Sequence, residues 1–349
     1  MTDTRAALVE TARLSIARGS KSFAAASKLF APVVRERAWL LYAWCRACDD
    51  LVDGQDHGHD RTIVTDARAR VARVRALSDA ALDGEPTGDP AFDALGVVAR
   101  ETGLPRRFVH DVIDGFQLDA EDWRPRSADD LYRYCYHVAG AVGLLMAVVM
   151  GVSPDDDATL DRACDLGLAF QLANIARDIE EDARVNRCYL PVDWLVEMDM
   201  PPGEHMKPPY RERLAVLARR LATRAQLHED SAAIGTKALS FRSAWAVLAA
   251  AGIYGDIARE VAARGPRAWD HRVTTSKGAK LAWIARAGLK AARRQSLPDT
   301  PRDPRLWTRP RCPPPVIPAQ AGIQTRRSVD RNATSEVLNS RLRGNDGTG

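Results

Sequence analysis

The chain has 349 residues, 46% hydrophobic and 28% charged, a balance typical of globular proteins that excludes a fibrous or wholly disordered chain. The formal net charge is +4. However, residues 298–349 hold nine Arg against five Asp or Glu, which leaves 41 basic and 41 acidic groups in residues 1–297. A neutral body without a cluster of Lys or Arg argues against nucleic acid as the main partner, because such binding depends on neutralising phosphates.

The sequence predicts a cytoplasmic protein. Its first residues carry charges such as Asp3, Arg5 and Glu10 and no continuous apolar run, unlike a secretory signal. Six scattered cysteines favour free thiols over a disulfide framework. The longest apolar run, residues 138–152, is shorter than the roughly 20 residues of a spanning helix and predicts a buried core helix.

Ala-rich segments with apolar residues three and four apart continue from the start to about residue 295, which predicts an all-α bundle around a central cavity. Gly, Pro and Asp cluster at the expected breaks: residues 54–60, 83–90, 103–105, 123–127, 153–157, 191, 201–209 and 265–270. Eight of the 20 prolines lie between residues 298 and 318. We therefore expect a helical domain over 1–297 and a disordered tail over 298–349.

The first chemically informative segment covers residues 41–53. Asp49 and Asp53 are four residues apart, so on a helix both carboxylates lie on one face and reach a single divalent ion. A solvated helix end before Gly54 is the alternative interpretation of this pair.

The second segment, residues 170–184, is more informative. Asn174, Asp178 and Asp182 repeat at spacing four, and Gln171 precedes Asn174 by three residues. The two amides interrupt an apolar run at positions where a core face needs Leu or Val. Oxygen ligands at this spacing suit Mg²⁺ or Mn²⁺, which bridge carboxylates to substrate phosphates. The two acidic helices together predict a diphosphate site built around divalent metal.

Several long motifs in order resemble the bacterial phytoene synthases over about residues 5–310. The motifs are GSKSFAAA at 19–26, LYAWCR at 41–46, LYRYCYHVAG at 131–140, DRACDLGLAFQLANIARD at 161–178, RCYLP at 187–191, FRSAW at 241–245, RAWD at 267–270, TSKG at 275–278 and LWTRP at 306–310. The resemblance implies the all-α isoprenoid-synthase fold. It also implies condensation of two geranylgeranyl diphosphates to 15-cis-phytoene by way of a cyclopropylcarbinyl diphosphate.

The resemblance also implies roles for matching positions. Asp49 and Asp53 would form the first metal motif. Asn174, Asp178 and Asp182 would form the second. The implied substrate-binding residues are Ser20, Ser22, Tyr42, Arg46, Gln171, Asn174, Tyr189 and Tyr254. Arg177 and Tyr134 join the metal-binding aspartates as implied catalytic residues, with the tyrosine faces able to stabilise carbocations.

Small residues predict a roomy cavity that prefers the C20 substrate. Ala24, Ala25, Ala26 and Ser27 follow residues 20–22, here called the entrance segment, and Gly140, Ala141 and Gly143 follow Tyr134. Because the C20 substrate and a C40 hydrocarbon both partition into lipid, we expect peripheral contact with the inner membrane. Association with other enzymes of carotenoid biosynthesis is left open.

Three alternatives remain at this point. A sister enzyme would act on farnesyl diphosphate to give dehydrosqualene, or squalene with NADPH, although no nucleotide-binding glycine motif is present. A non-catalytic assembly factor of the same fold would have lost its carboxylates, yet all are present. A helical RNA or membrane scaffold would need a basic face, which the balanced body lacks.

Overall fold

A computed structural model describes residues 4–19, 24, 26–53, 66–121, 123–201 and 203–311. Ser20, Ser22 and Ala25 lie outside the described residues, as does the chain beyond residue 311. The described residues form helices and no strand, so the all-α prediction is confirmed.

The α-helices run in chain order as α1 Arg5–Gly19, α2 Pro32–Asp53, α3 Ala67–Asp83, α4 Pro90–Thr102, α5 Arg106–Ala120, α6 Ala128–Cys135, α7 Ala141–Val149, α8 Asp157–Arg184, α9 Val192–Glu197, α10 Arg211–Gly235, α11 Phe241–Arg264 and α12 Lys277–Ala292. A π-helix, Tyr136–Gly140, joins α6 to α7. Short 3₁₀ turns include Ser27–Leu29 and Thr236–Ala238.

The helix boundaries follow the local chemistry of the predicted breaks. Ser127 caps α6 by accepting from the backbone N–H of Asp130, whose side chain accepts from the Ser127 N–H in return. Gly103 ends α4 with φ at 66°, the left-handed conformation that glycine adopts without strain. The breaks near residues 103 and 127 therefore fall where the sequence predicts them.

Helix α8 lies at the centre of the fold and packs against α7, α10 and α11. Two glycines let the antiparallel α7 segment approach it closely. A Cβ at Gly167 would lie 2.3 Å from the Ala139 carbonyl oxygen, and one at Gly143 would lie 2.5 Å from the Ala163 carbonyl oxygen. Backbone therefore packs directly on backbone where these two segments cross.

One helix among the described residues has the length and composition to cross a membrane. It is Ala128–Val149, 22 residues long, with 61% of its most apolar 18-residue window buried inside the protein. Leu144 and Leu145 in this helix are fully buried. The apolar run near residue 140 is thus a core helix in this fold.

Residues 298–309, here called the C-terminal strap, pack against the helical body. Arg302 binds both carboxylate oxygens of buried Asp165 at 2.7 and 2.8 Å, and Arg309 binds Asp161 at 2.8 Å. The first compact unit of the chain ends at Arg309, twelve residues later than the boundary at residue 297 that the composition predicts. Prolines end the helical pattern, but buried aspartates still hold an extended segment in place. The second unit, Pro310–Gly349, is described only at its first two residues.

Candidate active site

An elongated cavity of about 470 Å³ lies between α2, α8, α11 and the segment formed by the π-helix and α7. Its lining on α8 follows one stripe of the helix: Thr159, Arg162, Ala163, Leu166, Gly167, Phe170, Gln171 and Asn174. At 1.5 Å per residue this stripe is roughly 22 Å long. Most other lining residues are apolar, among them Phe30, Leu41, Val142, Met146 and Leu239. The cavity is therefore long and mostly apolar, with two amide side chains near one end.

On α8 the polar stripe continues past the cavity. Asn174 is the last cavity-lining residue of the helix. Asp178 and Asp182 follow it at spacing four, which keeps them on the same helix face. The acidic residues of α8 therefore stand just beyond the polar end of the cavity.

On α2 the cavity wall leads to Asp49 in the same way. Cys45 lines the cavity, and Asp49 follows it by one turn. Ala38, earlier on α2, belongs to a core cluster against which Met150 packs. Met150 follows α7, which runs antiparallel to α8, so it lies beside the N-terminal part of α8. Helices α2 and α8 each carry an aspartate one turn beyond their last cavity-lining residue, and we propose that the two acidic ends meet at the same end of the cavity. Asp53 is the last residue of α2, but its side chain lies outside what the structure describes.

Two arginines hold Asp178. Arg177 donates to both of its carboxylate oxygens, at 2.7 and 2.5 Å, and Arg272 lies 2.9 Å from Oδ1. Burial acts to raise the pKa of Asp178, but the hydrogen bonds from Arg177 and the charge of Arg272 outweigh it and lower the pKa below its usual value. An ionised carboxylate and two guanidinium groups therefore meet at this site, and guanidinium is well suited to binding phosphate oxygens.

Asp182 is in the opposite electrostatic state. Burial, together with the negative charge of Asp178, raises the pKa of Asp182 to about 7. Glu181 is also affected, since burial and its contact with Asp178 raise its pKa. A cation placed between Asp178 and Asp182 would relieve this repulsion and release the proton of Asp182.

Arg46 and Asp49 form the corresponding group on α2. The Arg46 Nη1 lies 3.5 Å from the Asp49 carboxylate, and its guanidinium stands over the Tyr42 ring with 5.9 Å to the centroid. Tyr42 also lines the cavity. The predicted substrate-binding residues of α2 are thus adjacent to each other and to its acidic motif.

Two stacked tyrosines are connected to the acidic residues of α8 through Asp119, which the sequence analysis does not predict. Tyr134 and Tyr189 stack with ring centroids 4.7 Å apart. Both donate hydrogen bonds to Asp119, at 3.1 and 3.2 Å, and the charge of Asp119 contributes to the raised pKa of Asp182. Tyr134 is buried and is not among the residues that line the cavity. Its hydroxyl therefore lies beside the acidic end, outside the long apolar wall.

The donor set fits a divalent cation. Asn174 Oδ1 is buried and has no hydrogen-bond partner among the described residues, so it is an oxygen in need of a ligand. It precedes Asp178 and Asp182 on the same helix face, and carboxylate and amide oxygens suit Mg²⁺ or Mn²⁺. Gln171 and Tyr254 line the cavity close to this end. Tyr254 stacks on Phe170 at 4.4 Å.

A second group of potential metal ligands lies elsewhere on α5 and the π-helix. One ligand atom each from Asp111, Asp114 and His137 lie within 4.8 Å of one another. Protein groups already engage all three: Tyr136 donates to Asp111, Arg75 donates to Asp114, and His137 Nδ1 lies 2.8 Å from the Asp111 carbonyl oxygen. His137 thus takes part in hydrogen-bonded packing.

The family model of squalene/phytoene synthase matches residues 16–279. The chain belongs to the squalene/phytoene synthase family. It is 45% identical to the phytoene synthase of Pseudescherichia vulneris over 87% of this chain and 98% of that protein. It is 44% identical to the 15-cis-phytoene synthase of Paracoccus sp. (strain N81106 / MBIC 01143), again over 87% and 98%.

Two solved structures share the fold. A dehydrosqualene synthase crystallised with a ligand superposes with a TM-score of 0.72 at 24% identity, over 81% of this chain and 96% of that one. A squalene synthase from Alicyclobacillus acidocaldarius gives 0.65 at 22% identity, over 74% and 94%. At these identities the likeness concerns the fold alone, which is the isoprenoid-synthase bundle that the motifs imply.

The wall residues predicted from small size separate into two groups. Ala26 and Gly143 line the cavity. Ser27 instead donates to the Ala24 carbonyl oxygen at 2.9 Å and accepts from the Trp39 indole N–H at 2.9 Å, so it is not a wall residue. Ala141 is buried in the core. Small residues predict a large cavity, but residue size alone does not predict which side chains line it.

Proposed function

We propose that this chain is a 15-cis-phytoene synthase that condenses two molecules of geranylgeranyl diphosphate. The observation that carries the proposal is the length of the cavity. Its stripe on α8 is roughly 22 Å long. An extended chain of four isoprene units has a main chain of about 15 bonds and spans roughly 19 Å at about 1.27 Å per bond. The C20 tail therefore fills the cavity with its diphosphate at the acidic end.

The chain's own residues would hold the diphosphate. Arg46, Arg177 and Arg272 supply guanidinium groups at the acidic end, and Ser20 and Ser22 are proposed as further donors from the entrance segment. Asn174 Oδ1 and the carboxylates of Asp49, Asp53, Asp178 and Asp182 would hold Mg²⁺ or Mn²⁺. When bound, the metal neutralises charge on the departing diphosphate and so favours ionisation of the allylic substrate.

The apolar wall would protect the allylic cation from water. Leu41, Val142 and Leu166 line the cavity with hydrocarbon side chains, which neither hold water nor react with the cation. Arg162 is the charged residue among the described residues that line the cavity. It donates to Ser231 at 3.0 Å and to the Thr300 carbonyl oxygen at 2.5 Å, which directs its charge to protein partners.

A synthase acting on farnesyl diphosphate is the second candidate, since the related solved structures include a dehydrosqualene synthase. A C15 tail has a main chain of about 11 bonds and spans roughly 14 Å, which would leave the far end of the cavity empty. An assembly factor without activity is disfavoured, because all five predicted metal-binding residues are present.

We further propose that the catalytic domain ends at Arg309, that the residues after it are dispensable, and that the cytoplasmic enzyme contacts the membrane peripherally. The test of the main proposal is to supply C20 and C15 diphosphates with Mg²⁺ and to identify the product by mass. A C40 hydrocarbon from C20 substrate supports it, and a C30 hydrocarbon made only from C15 substrate overturns it.

A further inference from the structure

Helix α12 presents an outward face made only of apolar residues. Its exposed apolar positions are Gly278, Leu281, Ala282, Ala285, Leu289 and Ala292. At 100° per residue, these six positions fall within an arc of about 100°. Leu281 is 68% exposed and Leu289 is 65% exposed, more than any other described leucine. A soluble surface rarely groups its apolar residues in this way.

Basic residues border this face. From residue 271 to residue 298 the chain has no Asp or Glu, and it has seven Lys or Arg: Arg272, Lys277, Lys280, Arg286, Lys290, Arg293 and Arg294. Arg272 contacts Asp178 at the acidic end of the cavity, and the other six form a basic cluster. The expectation that residues 1–297 lack a cluster of Lys or Arg is therefore wrong for this segment. Arg286 and Lys290 stand against the Trp283 ring, at 5.5 and 5.8 Å from its centroid. The cations are therefore positioned along one edge of the apolar face.

The opposite face of α12 is anchored to the wall of the cavity. Trp283 packs so closely on α11 that a Cβ at Gly252 would lie 2.1 Å from its ring, and the Trp245 indole N–H donates to the Ile284 carbonyl oxygen at 2.7 Å. Helix α11 lines the cavity through Ala246, Val247, Ala250 and Tyr254. Helix α11 therefore lies between α12 and the cavity.

We propose that the outward face of α12 docks on a bilayer of anionic phospholipid, with Leu281 and Leu289 entering the interface and the flanking Lys and Arg meeting lipid phosphates. An exposed apolar stripe bordered by basic residues is the pattern of helices that lie in the membrane interface. The positive charge beside the apolar face favours an anionic bilayer over a second copy of the chain or the chain's own C-terminal residues. A second copy would bring like-charged edges together, and residues 312–349 hold five Arg against three Asp or Glu. The proposal does not depend on the phytoene assignment.

Vesicle sedimentation tests the proposal. The full chain is mixed with vesicles of phosphatidylcholine alone, or of equal parts phosphatidylcholine and phosphatidylglycerol, at low and high salt. We expect binding to the anionic vesicles, weakened by salt. The double variant Leu281→Glu, Leu289→Glu should bind these vesicles at least about tenfold more weakly, since it removes two apolar contacts and adds two negative charges.

The matched control is Val196→Glu, Leu227→Glu, which adds the same charge at positions 68% and 51% exposed on other helices. It should bind as the natural chain does. Both variants should keep the natural Tm, and turnover of detergent-dispersed substrate should be unchanged in both. Equal binding of the two double variants would overturn the proposal. So would a dimer that dissociates on Leu281→Glu, Leu289→Glu while vesicle binding persists.

Discussion

Filling the cavity at Ala163 is expected to exclude the C20 substrate while admitting the C15 substrate. Ala163 lines the cavity eleven residues before Asn174, which places it roughly 16 Å from the polar end at 1.5 Å per residue. A C15 tail of roughly 14 Å stops short of that level, and a C20 tail of roughly 19 Å passes it. The variant Ala163→Phe therefore blocks the space that only the fourth isoprene unit uses.

The size of the effect follows from the hydrocarbon that loses its site. The fourth isoprene unit has five carbons, each worth ~0.8 kcal/mol when buried, so its exclusion costs ~4 kcal/mol. We expect kcat/KM for geranylgeranyl diphosphate to fall by up to about 1,000-fold, and kcat/KM for farnesyl diphosphate to change by less than about fivefold.

The assay measures diphosphate release from each substrate at saturating Mg²⁺. Ala163→Ser is the control, since it keeps the size of the side chain and should retain the natural preference. Melting temperatures show whether Phe overpacks the contact with Gly143, because overpacking costs about 1–3 kcal/mol. Equal losses of kcat/KM on the two substrates in a folded variant would refute the claim that position along α8 determines which substrate length fits.

Four further predictions follow from the site and the fold. Since the pKa of Asp182 is raised to about 7, its ionisation destabilises the fold as pH rises from about 4 through 7. Without metal, Asp182→Asn should therefore raise Tm by a few degrees at pH 8 and change it little at pH 4. An equal Tm for the variant and the natural chain at pH 8 would contradict this. Asp49→Ala should lower turnover by orders of magnitude with the fold intact, and full turnover in EDTA would contradict the metal site. Gly167→Ala should destabilise the fold by about 3 kcal/mol through its clash with the Ala139 carbonyl. Gly278→Ala, with open space around its Cβ, should stabilise it by up to about 1 kcal/mol. Denaturant melts that rank the two variants the other way would show that the contact between α8 and the α7 segment tolerates a methyl group. A chain ending at Pro310 should keep full activity and Tm, whereas one ending at Leu297 should lose about 3–5 kcal/mol because Asp165 loses Arg302, and equal Tm values would show that the C-terminal strap adds nothing.

Periodicity and spacing predict what depends on one helix at a time. The three-to-four spacing of apolar residues predicts the helices, and the spacing of Asn174, Asp178 and Asp182 predicts their shared face. These properties follow from 3.6 residues per turn and need no knowledge of tertiary structure.

Contacts between segments that are distant in sequence cannot be predicted from the spacing of residues along one helix. Asp119 sits on an amphipathic helix with nothing unusual around it, and its position under Tyr134 and Tyr189 arises only from packing. Arg272 reaches Asp178 from 94 positions away. The RAWD motif at 267–270 marks its neighbourhood without identifying it.

The C-terminal strap shows the same limit from the other side. Its proline-rich composition correctly predicts the end of the helices. It does not reveal that Arg302 and Arg309 bind aspartates of α8, because those aspartates are buried only in the folded bundle. The prediction that Ser27 lines the cavity is wrong for a related reason, since a small side chain suits either a cavity wall or a hydrogen bond to Trp39.

The most direct test of the central claim is product identification with the purified full chain, Mg²⁺ and each prenyl diphosphate in turn. The account predicts a C40 hydrocarbon with the mass of phytoene from geranylgeranyl diphosphate, at a kcat/KM well above that for farnesyl diphosphate, and no product in EDTA. A C30 hydrocarbon formed preferentially from farnesyl diphosphate, or no hydrocarbon from either substrate, would contradict it.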